Sequence, residues 1–269
     1  MSLPTVVVTR RLPQQARDVL RAQADLVCWE QDCPVDRRWL LDHLHEAEGL
    51  YCLLTDRIDR EVLQVGKRLR VISTMAVGYD HIDVKACTTR GIAVGHTPGI
   101  LTETTADLAF ALLLAAARRI VEGAEYVRQG EWMTWSPDLL LGQDVYGATL
   151  GIVGFGRIGQ AMARRAQGFQ MNVLAVRSPH GVSGSPQSSA SSETGTQPSA
   201  TSVSPREFLF PGTGQDQSVS ASFHDVDLQK ALAQSDFVSL HVPLTPHTHH
   251  LIGEAEFRVM KPTSILVNT

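Results

Sequence analysis

Cysteine is scarce in this chain of 269 residues: there are four, at Cys28, Cys33, Cys52 and Cys87, with no CxxC spacing among them. That excludes the disulfide framework of a small secreted domain and a zinc site built on closely spaced ligand pairs. It suits reduced thiols near a core, in a reducing compartment. An excess of positive charge is also missing, since 24 Lys+Arg stand against 28 Asp+Glu for a formal net charge of −4. A broadly basic nucleic-acid surface is thereby excluded. Long apolar runs are lacking too. The longest, over residues 108–117, falls short of a membrane span and is closed by Arg118 and Arg119. The opening segment MSLPTVVVTRRLP carries neither the basic region nor the apolar stretch of a secretory signal. The expectation is a cytoplasmic protein with no membrane and no nucleic-acid partner. Hydrophobic residues at 43% and charged ones at 19% supply enough apolar material for one large domain or two of moderate size.

What is present is alternation. TVVVTR, DLVCWE, YCLLT (residues 51–55), LRVISTM and GIAVG read as strands. Between the first of them, LPQQARDVLRAQA and DRRWLLDHLHEAEG read as helices. Strands alternating with helices favour a parallel sheet covered on both faces. Residues 102–128 then read as one long Ala- and Leu-rich helix, buried all round or set against a partner subunit. A loop with Trp132 and Trp135 follows it, either exposed or capping something. Residues 178–222 are dominated by Ser, Gly, Pro, Thr and Gln, interrupted only by EFLF. Such a stretch buries too little apolar surface to offset its conformational entropy, so it is expected to be disordered. Beyond it LQKALAQ and GEAEFRVMK read as helices, and DFVSLHV and SILVN as strands.

Gly154-Phe155-Gly156-Arg157-Ile158-Gly159 is a GxGxxG, which follows an apolar strand and opens a helix, with the strand NVLAV beyond it. In that context the motif is a dinucleotide-binding turn. Gly154 permits the tight turn, Gly156 admits the pyrophosphate to backbone N–H groups, and Gly159 lets the helix pack against the strand. The second strand ends in Arg177-Ser178 rather than in an acid. Arginine and serine suit a ribose 2′-phosphate, whereas a carboxylate reads a free 2′-hydroxyl, so the expected cofactor is NADPH over NADH. His247, His249 and His250 in PHTHH have metal-like spacing, but a solvated loop is the reading preferred, with no metal expected. No Ser-His-Asp or Cys-His arrangement stands out.

Five collinear segments, STMAVGYDHIDV, GHTPGILTETTADLAFALLLAAARR, TLGIVGFGRIG, SDFVSLHVPLTPHTHHLI and MKPTSILVNT, resemble the D-2-hydroxyacid dehydrogenase family. Within it the resemblance is to the glyoxylate reductase/hydroxypyruvate reductases of animals. The resemblance implies two doubly wound parallel-sheet α/β domains. A flavodoxin-like substrate domain over residues 1–99 would precede a Rossmann cofactor domain over residues 100–269, carrying the insert 178–222. It implies NADPH-dependent reduction of glyoxylate and hydroxypyruvate to D-2-hydroxy acids. The backbone of Val77 and Gly78 would hold the substrate carboxylate, and Leu53 would line the pocket. Thr105, Gly156, Arg157 and Ile158 would meet the cofactor phosphates, Arg177 and Ser178 the 2′-phosphate, and Pro243 the adenosine end. One of Trp132 and Trp135 would reach towards a partner's pocket, and the helix from Thr102 would pair two copies as a homodimer.

In that pattern the arginine that polarises the carbonyl lies two residues past VNT, with the acid and the histidine beyond it. All three are therefore expected after Thr269, leaving no catalytic residue within this chain and the second domain and the first domain's returning helix incomplete. His81 and His96 match no catalytic position. The sequence thus supports two readings: a reductase by lineage whose 269 residues are inactive alone, or a catalytically dead dinucleotide-binding or dimerising regulatory protein of the same fold.

Overall fold

Short aliphatic strands set the architecture, because each is long enough to cross a sheet and too short to form a stable helix. The computed structural model describes residues 3–177, 206–208 and 221–269. Two compact units divide it, Met1–Leu101 and Thr102–Thr269.

In the first unit β1 (Thr5–Val8), β2 (Asp25–Cys28), β3 (Gly49–Cys52), β4 (Val71–Thr74) and β5 (Ala93–Gly95) form one sheet in the order β2-β1-β3-β4-β5, parallel throughout. That is the flavodoxin-like strand order. The connecting helices are α1 (Gln14–Arg21), α2 (Arg37–His43), α3 (Arg60–Val65) and α4 (Val84–Thr89). Val7, Leu50, Cys52 and Ile72 pack with Leu40, Leu44, Val62, Leu63 and Cys87 into one buried cluster. Each such fully buried aliphatic side chain contributes about 1.5–3 kcal/mol. Aspartates start three of the helices: Asp36 accepts from the Trp39 amide, Asp59 from Glu61 and Val62, and Asp83 from Ala86. Helix α4 was not legible in the alternation, although its Asp83 cap was in plain view.

The expected strand at residues 51–55 begins and ends earlier. β3 stops at Cys52, because the Asp56 carboxylate takes the Leu53 amide at 2.8 Å and the Asp56 amide returns to the Leu53 carbonyl at 3.0 Å. An aspartate that satisfies the backbone locally ends a ladder.

The second unit opens with α5 (Thr102–Ala117) and α6 (Ile120–Arg128), so the single long helix expected over residues 102–128 is broken. Arg119 is left-handed at φ 52°, and the Ala117 carbonyl accepts from the Gln143 amide at 2.8 Å rather than from a further helical turn. Gly142 lies so close that a Cβ there would meet the Ala117 oxygen at 2.2 Å. The crossing loop, not a proline or glycine in the helix, terminates it. One face of α5, Ala106, Ala109, Phe110, Leu113 and Ala117, is buried, while Leu108 and Leu112 are exposed. The helix is therefore not buried all round.

β6 (Thr149–Val153), α7 (Arg157–Gln167), β7 (Asn172–Val176), β8 (Arg206–Phe208), β9 (Ala221–Asp225), α8 (Leu228–Gln234), β10 (Phe237–Leu240), α9 (Glu254–Val259) and β11 (Ile265–Asn268) complete the unit. The sheet order is β11-β10-β6-β7-β9-β8, parallel except for the antiparallel edge pair β8–β9. Without β8 this is the Rossmann order.

The expected disorder of residues 178–222 is corrected at two places. Residues 206–208 form β8 and residues 221–222 open β9, where Arg206 pairs with Phe223 and Phe208 with Ala221. Backbone pairing needs no aliphatic periodicity, which is why composition missed it. Residues 178–205 and 209–220, Ser178 among them, lie outside the described residues. Among the described residues no helix is long and apolar enough to cross a membrane.

Candidate active site

In the second unit the three segments singled out in the sequence leave the carboxyl ends of adjacent strands. β6 runs into Gly154, β7 into Arg177, and β10 into the His241–Pro243 turn, in the spatial order β10-β6-β7. The chain leaves β6 in one direction for β7 and returns on the other side as β10. A crevice opens at such a switch point, and α/β proteins bind ligands there.

The glycines differ in what they do. Gly154 has φ 95°, and a Cβ on it would lie 2.6 Å from the His241 carbonyl carbon and oxygen. Only glycine fits both the backbone and the space. A Cβ on Gly159 would lie 2.3 Å from the Gly154 carbonyl oxygen, so α7 sits directly on the turn. Gly156 is exposed and has open space where its Cβ would be. Where Asp227 caps α8 through the Lys230 amide, α7 begins at Gly156 with no side-chain cap. Its first amides, at Arg157, Ile158 and Gly159, therefore lack an intrahelical partner and carry the positive end of the helix dipole. An uncapped helix start with a vacant Cβ position is a cradle for an anionic group, and the pyrophosphate of a dinucleotide fits it.

Arg177, at the tip of β7, donates from Nε to the Asp225 carboxylate at 2.8 Å. Its guanidinium carbon lies 5.4 Å from the Phe155 ring centre and 5.3 Å from that of Phe223. Asp225, Phe155 and Phe223 were not singled out in the sequence. Forty-eight positions separate Arg177 from Asp225, and no local spacing joins them.

Pro243 is exposed, and its carbonyl accepts from the Thr248 hydroxyl at 2.5 Å, which shapes the turn after β10. His241 beside it contacts the Ser239 hydroxyl through Nε2 at 2.8 Å, and burial pushes its imidazole down to about 4. Thr105 is half-buried in α5. Its neighbours Glu103 and Asp107 are bound by Arg165 in the last turn of α7, at 2.9 and 2.5 Å. No hydrogen bond among the described residues links Thr105 to the glycine turn. His249 and His250 have rings 3.8 Å apart, and among the described residues no three His, Cys, Asp or Glu side chains converge as metal ligands.

In the first unit Leu53 and the Val77-Gly78 loop follow the carboxyl ends of the neighbouring strands β3 and β4. Leu53 is half-buried and Val77 is 39% exposed. The loop is held from several sides. The Met75 amide donates to Cys52, the Thr97 amide to Ala76, and the His96 Nδ1–H to the Val77 carbonyl at 2.9 Å. The Tyr79 ring meets His96 edge-on at 5.1 Å. His96 thus supports the loop, a role no motif announced. Beneath it His81 Nε2 lies 3.1 Å from the Thr74 hydroxyl and 3.9 Å from the Cys52 sulfur. Burial lowers the His81 pKa in spite of Asp80 and Asp56, and burial with Asp56 pushes the Cys52 thiol up to about 12. A thiol so raised is no nucleophile at neutral pH.

These features define a two-unit α/β protein whose second sheet carries a dinucleotide-type turn at its switch point. Residues 6–242 match the family described as D-isomer specific 2-hydroxyacid dehydrogenase, catalytic domain, and the chain belongs to that family. A glyoxylate reductase from Korarchaeum cryptofilum is 45% identical over 267 residues, 99% of this chain and 70% of the relative. That relative is archaeal, where the resemblance had pointed to animal enzymes. The TT0316 protein from Thermus thermophilus superimposes with a TM-score of 0.76 at 41% identity, covering 98% of this chain and 73% of the other. A D-lactate dehydrogenase from Aquifex aeolicus, complexed with NAD and lactic acid, gives a TM-score of 0.73 at 25% identity, covering 98% and 68%. The family is one of 2-hydroxyacid dehydrogenases that use a nicotinamide dinucleotide.

Proposed function

We propose that this protein is an NADPH-dependent reductase of glyoxylate and hydroxypyruvate. The observation that carries the reading is the uncapped start of α7 at Gly156, beside the Arg177 guanidinium on the adjacent strand tip. The amides of Arg157 and Ile158 receive the pyrophosphate, and Arg177 with Ser178 the 2′-phosphate. Pro243 closes the adenosine end, with Thr105 offered to the phosphates. The bound dinucleotide supplies a hydride to the ketone carbon. The Val77 and Gly78 amides hold the substrate carboxylate, and Leu53 packs on its short carbon chain.

Two copies pair through the exposed apolar residues of the α5–α6 segment, Leu108, Leu112, Ile120, Val121 and Val127.

Binding and turnover, measured side by side, test this. NADPH is expected to bind more tightly than NADH, followed by nicotinamide fluorescence. Protein isolated from its source is expected to reduce both glyoxylate and hydroxypyruvate. Absence of any dinucleotide binding would overturn the reading. NADPH binding by the native protein without turnover would favour the regulatory alternative.

A further inference from the structure

Arg177 is held by more than its own strand. In the β7–β9 register Val173 pairs with Phe223 and Ala175 with Asp225, so Arg177 lies one step beyond Asp225. Side chains two apart on a strand share a face, which puts Arg177, Asp225 and Phe223 on one side of the sheet. There the Asp225 carboxylate takes Nε at 2.8 Å, while Phe155 and Phe223, with ring centres 4.5 Å apart, carry the guanidinium. Phe223 is fully buried and Phe155 is 5% exposed, so neither ring is free to move. Phe155 is itself the residue between the first two glycines of the turn, and the Gly154 amide donates to the Val176 carbonyl at 2.9 Å. The arginine is thereby tied to the loop that would hold the pyrophosphate.

An arginine has five N–H donors in a planar fork, and Asp225 uses the one on Nε. Both terminal nitrogens have no partner among the described residues, and the side chain is 46% exposed. The bond at Nε fixes the plane of the fork, and the rings fix its height.

We infer that Asp225 is a positioning residue for cofactor choice: it aims the Arg177 terminal nitrogens at a ribose 2′-phosphate and so sets the preference for the phosphorylated dinucleotide. This rests on the proposed 2′-phosphate role of Arg177. The aspartate also brings a negative charge near the phosphate, which opposes binding. Its geometric and electrostatic effects therefore have opposite signs and can be separated. Asn at 225 keeps an oxygen to accept from Nε and removes the charge, whereas Ala removes both.

Isothermal calorimetry on the folded chain with NADPH, NADH, 2′,5′-ADP and 5′-AMP reads the difference, with thermal unfolding of every variant alongside. Asp225→Ala is expected to weaken NADPH and 2′,5′-ADP by about tenfold, the worth of one charge-assisted hydrogen bond. NADH and 5′-AMP should hold within about twofold, since neither carries the phosphate that the bond serves. Asp225→Asn should restore NADPH to the unmutated level or better. Equal loss of NADPH and NADH in Asp225→Ala would mark a merely structural role and overturn the inference, as would failure of Asn to rescue. Arg177→Ala separates the two layers. If it leaves the NADPH-to-NADH ratio unchanged, the 2′-phosphate reading fails and takes this inference with it. If it abolishes the preference while Asp225→Ala does not, only the positioning role fails.

Discussion

Gly154 and Gly156 stand two residues apart in one turn, and the structure assigns them opposite consequences on substitution by alanine. At Gly154 the backbone is at φ 95°, which costs an L-residue roughly 1–2 kcal/mol. The new Cβ would also meet the His241 carbonyl carbon and oxygen at 2.6 Å and the Val242 nitrogen at 2.8 Å. These are backbone atoms at the end of β10, which is paired with β6 from Leu150↔Phe237 to Val153↔Leu240. They yield only if the central strand pair opens, and overpacking of that kind costs about 1–3 kcal/mol. Gly154→Ala should therefore destabilise the second unit by roughly 2–5 kcal/mol. At Gly156, φ −81° and ψ −156° are open to any residue, and nothing lies within 4 Å of the Cβ position. Gly156→Ala costs no more than about 1 kcal/mol, the penalty of alanine at an N-cap. It does, however, fill the space that a pyrophosphate would occupy, so dinucleotide affinity should fall by at least about tenfold. Urea unfolding read by circular dichroism and NADPH titration, run on both variants, give four numbers. Unaltered stability in Gly154→Ala would refute the steric argument. Unaltered NADPH affinity in a stably folded Gly156→Ala would refute the cradle.

Two further expectations concern the same sheet. His241, with its pKa pushed down by burial to about 4 from 6.5, is neutral in the fold where the unfolded chain protonates. Its contribution is complete above pH 6.5, is lost as the pH falls from there to about 4, and does not change further below that. The ceiling on that loss is about 3 kcal/mol, less after solvent screening. Urea midpoints at pH 7 and pH 4.5 should differ by less in His241→Gln than in the unmutated chain, and equal differences would sink the assignment. Asp236 joins the starts of three strands. Its carboxylate accepts from the Thr149 amide at 2.9 Å and from Lys261 at 2.7 Å, and its carbonyl accepts from the Ile265 amide at 3.0 Å. Although burial raises it, the Lys261 and Thr149 hydrogen bonds hold its carboxyl below the ordinary value. Asp236→Ala should cost about 1–2 kcal/mol at neutral pH in the same unfolding assay, given the partial exposure of the pair.

What could be read in advance was whatever physics repeats locally. The parallel α/β class followed from short, mostly apolar strands spaced by helices, and the glycine turn from backbone demands that only glycine meets. What could not be read depends on atoms brought together from distant positions. Ala117 ends α5 because Gln143 and Gly142 cross it from beyond α6, while the Ala/Leu composition itself favours continuing the helix. β3 ends at Cys52 because Asp56 captures the Leu53 amide, a local signal masked by the aliphatic run CLLT. His96, which matches no catalytic position, holds the Val77 carbonyl nineteen residues away, so a residue without a motif of its own still shapes the Val77-Gly78 loop. The same holds at the cofactor end. Arg177 alone suits either a phosphate or solvent. With Asp225 on its Nε and the Phe155 and Phe223 rings beside its guanidinium, its setting comes from the turn before it and from a strand 48 positions on, which the arginine's own place in the sequence does not announce.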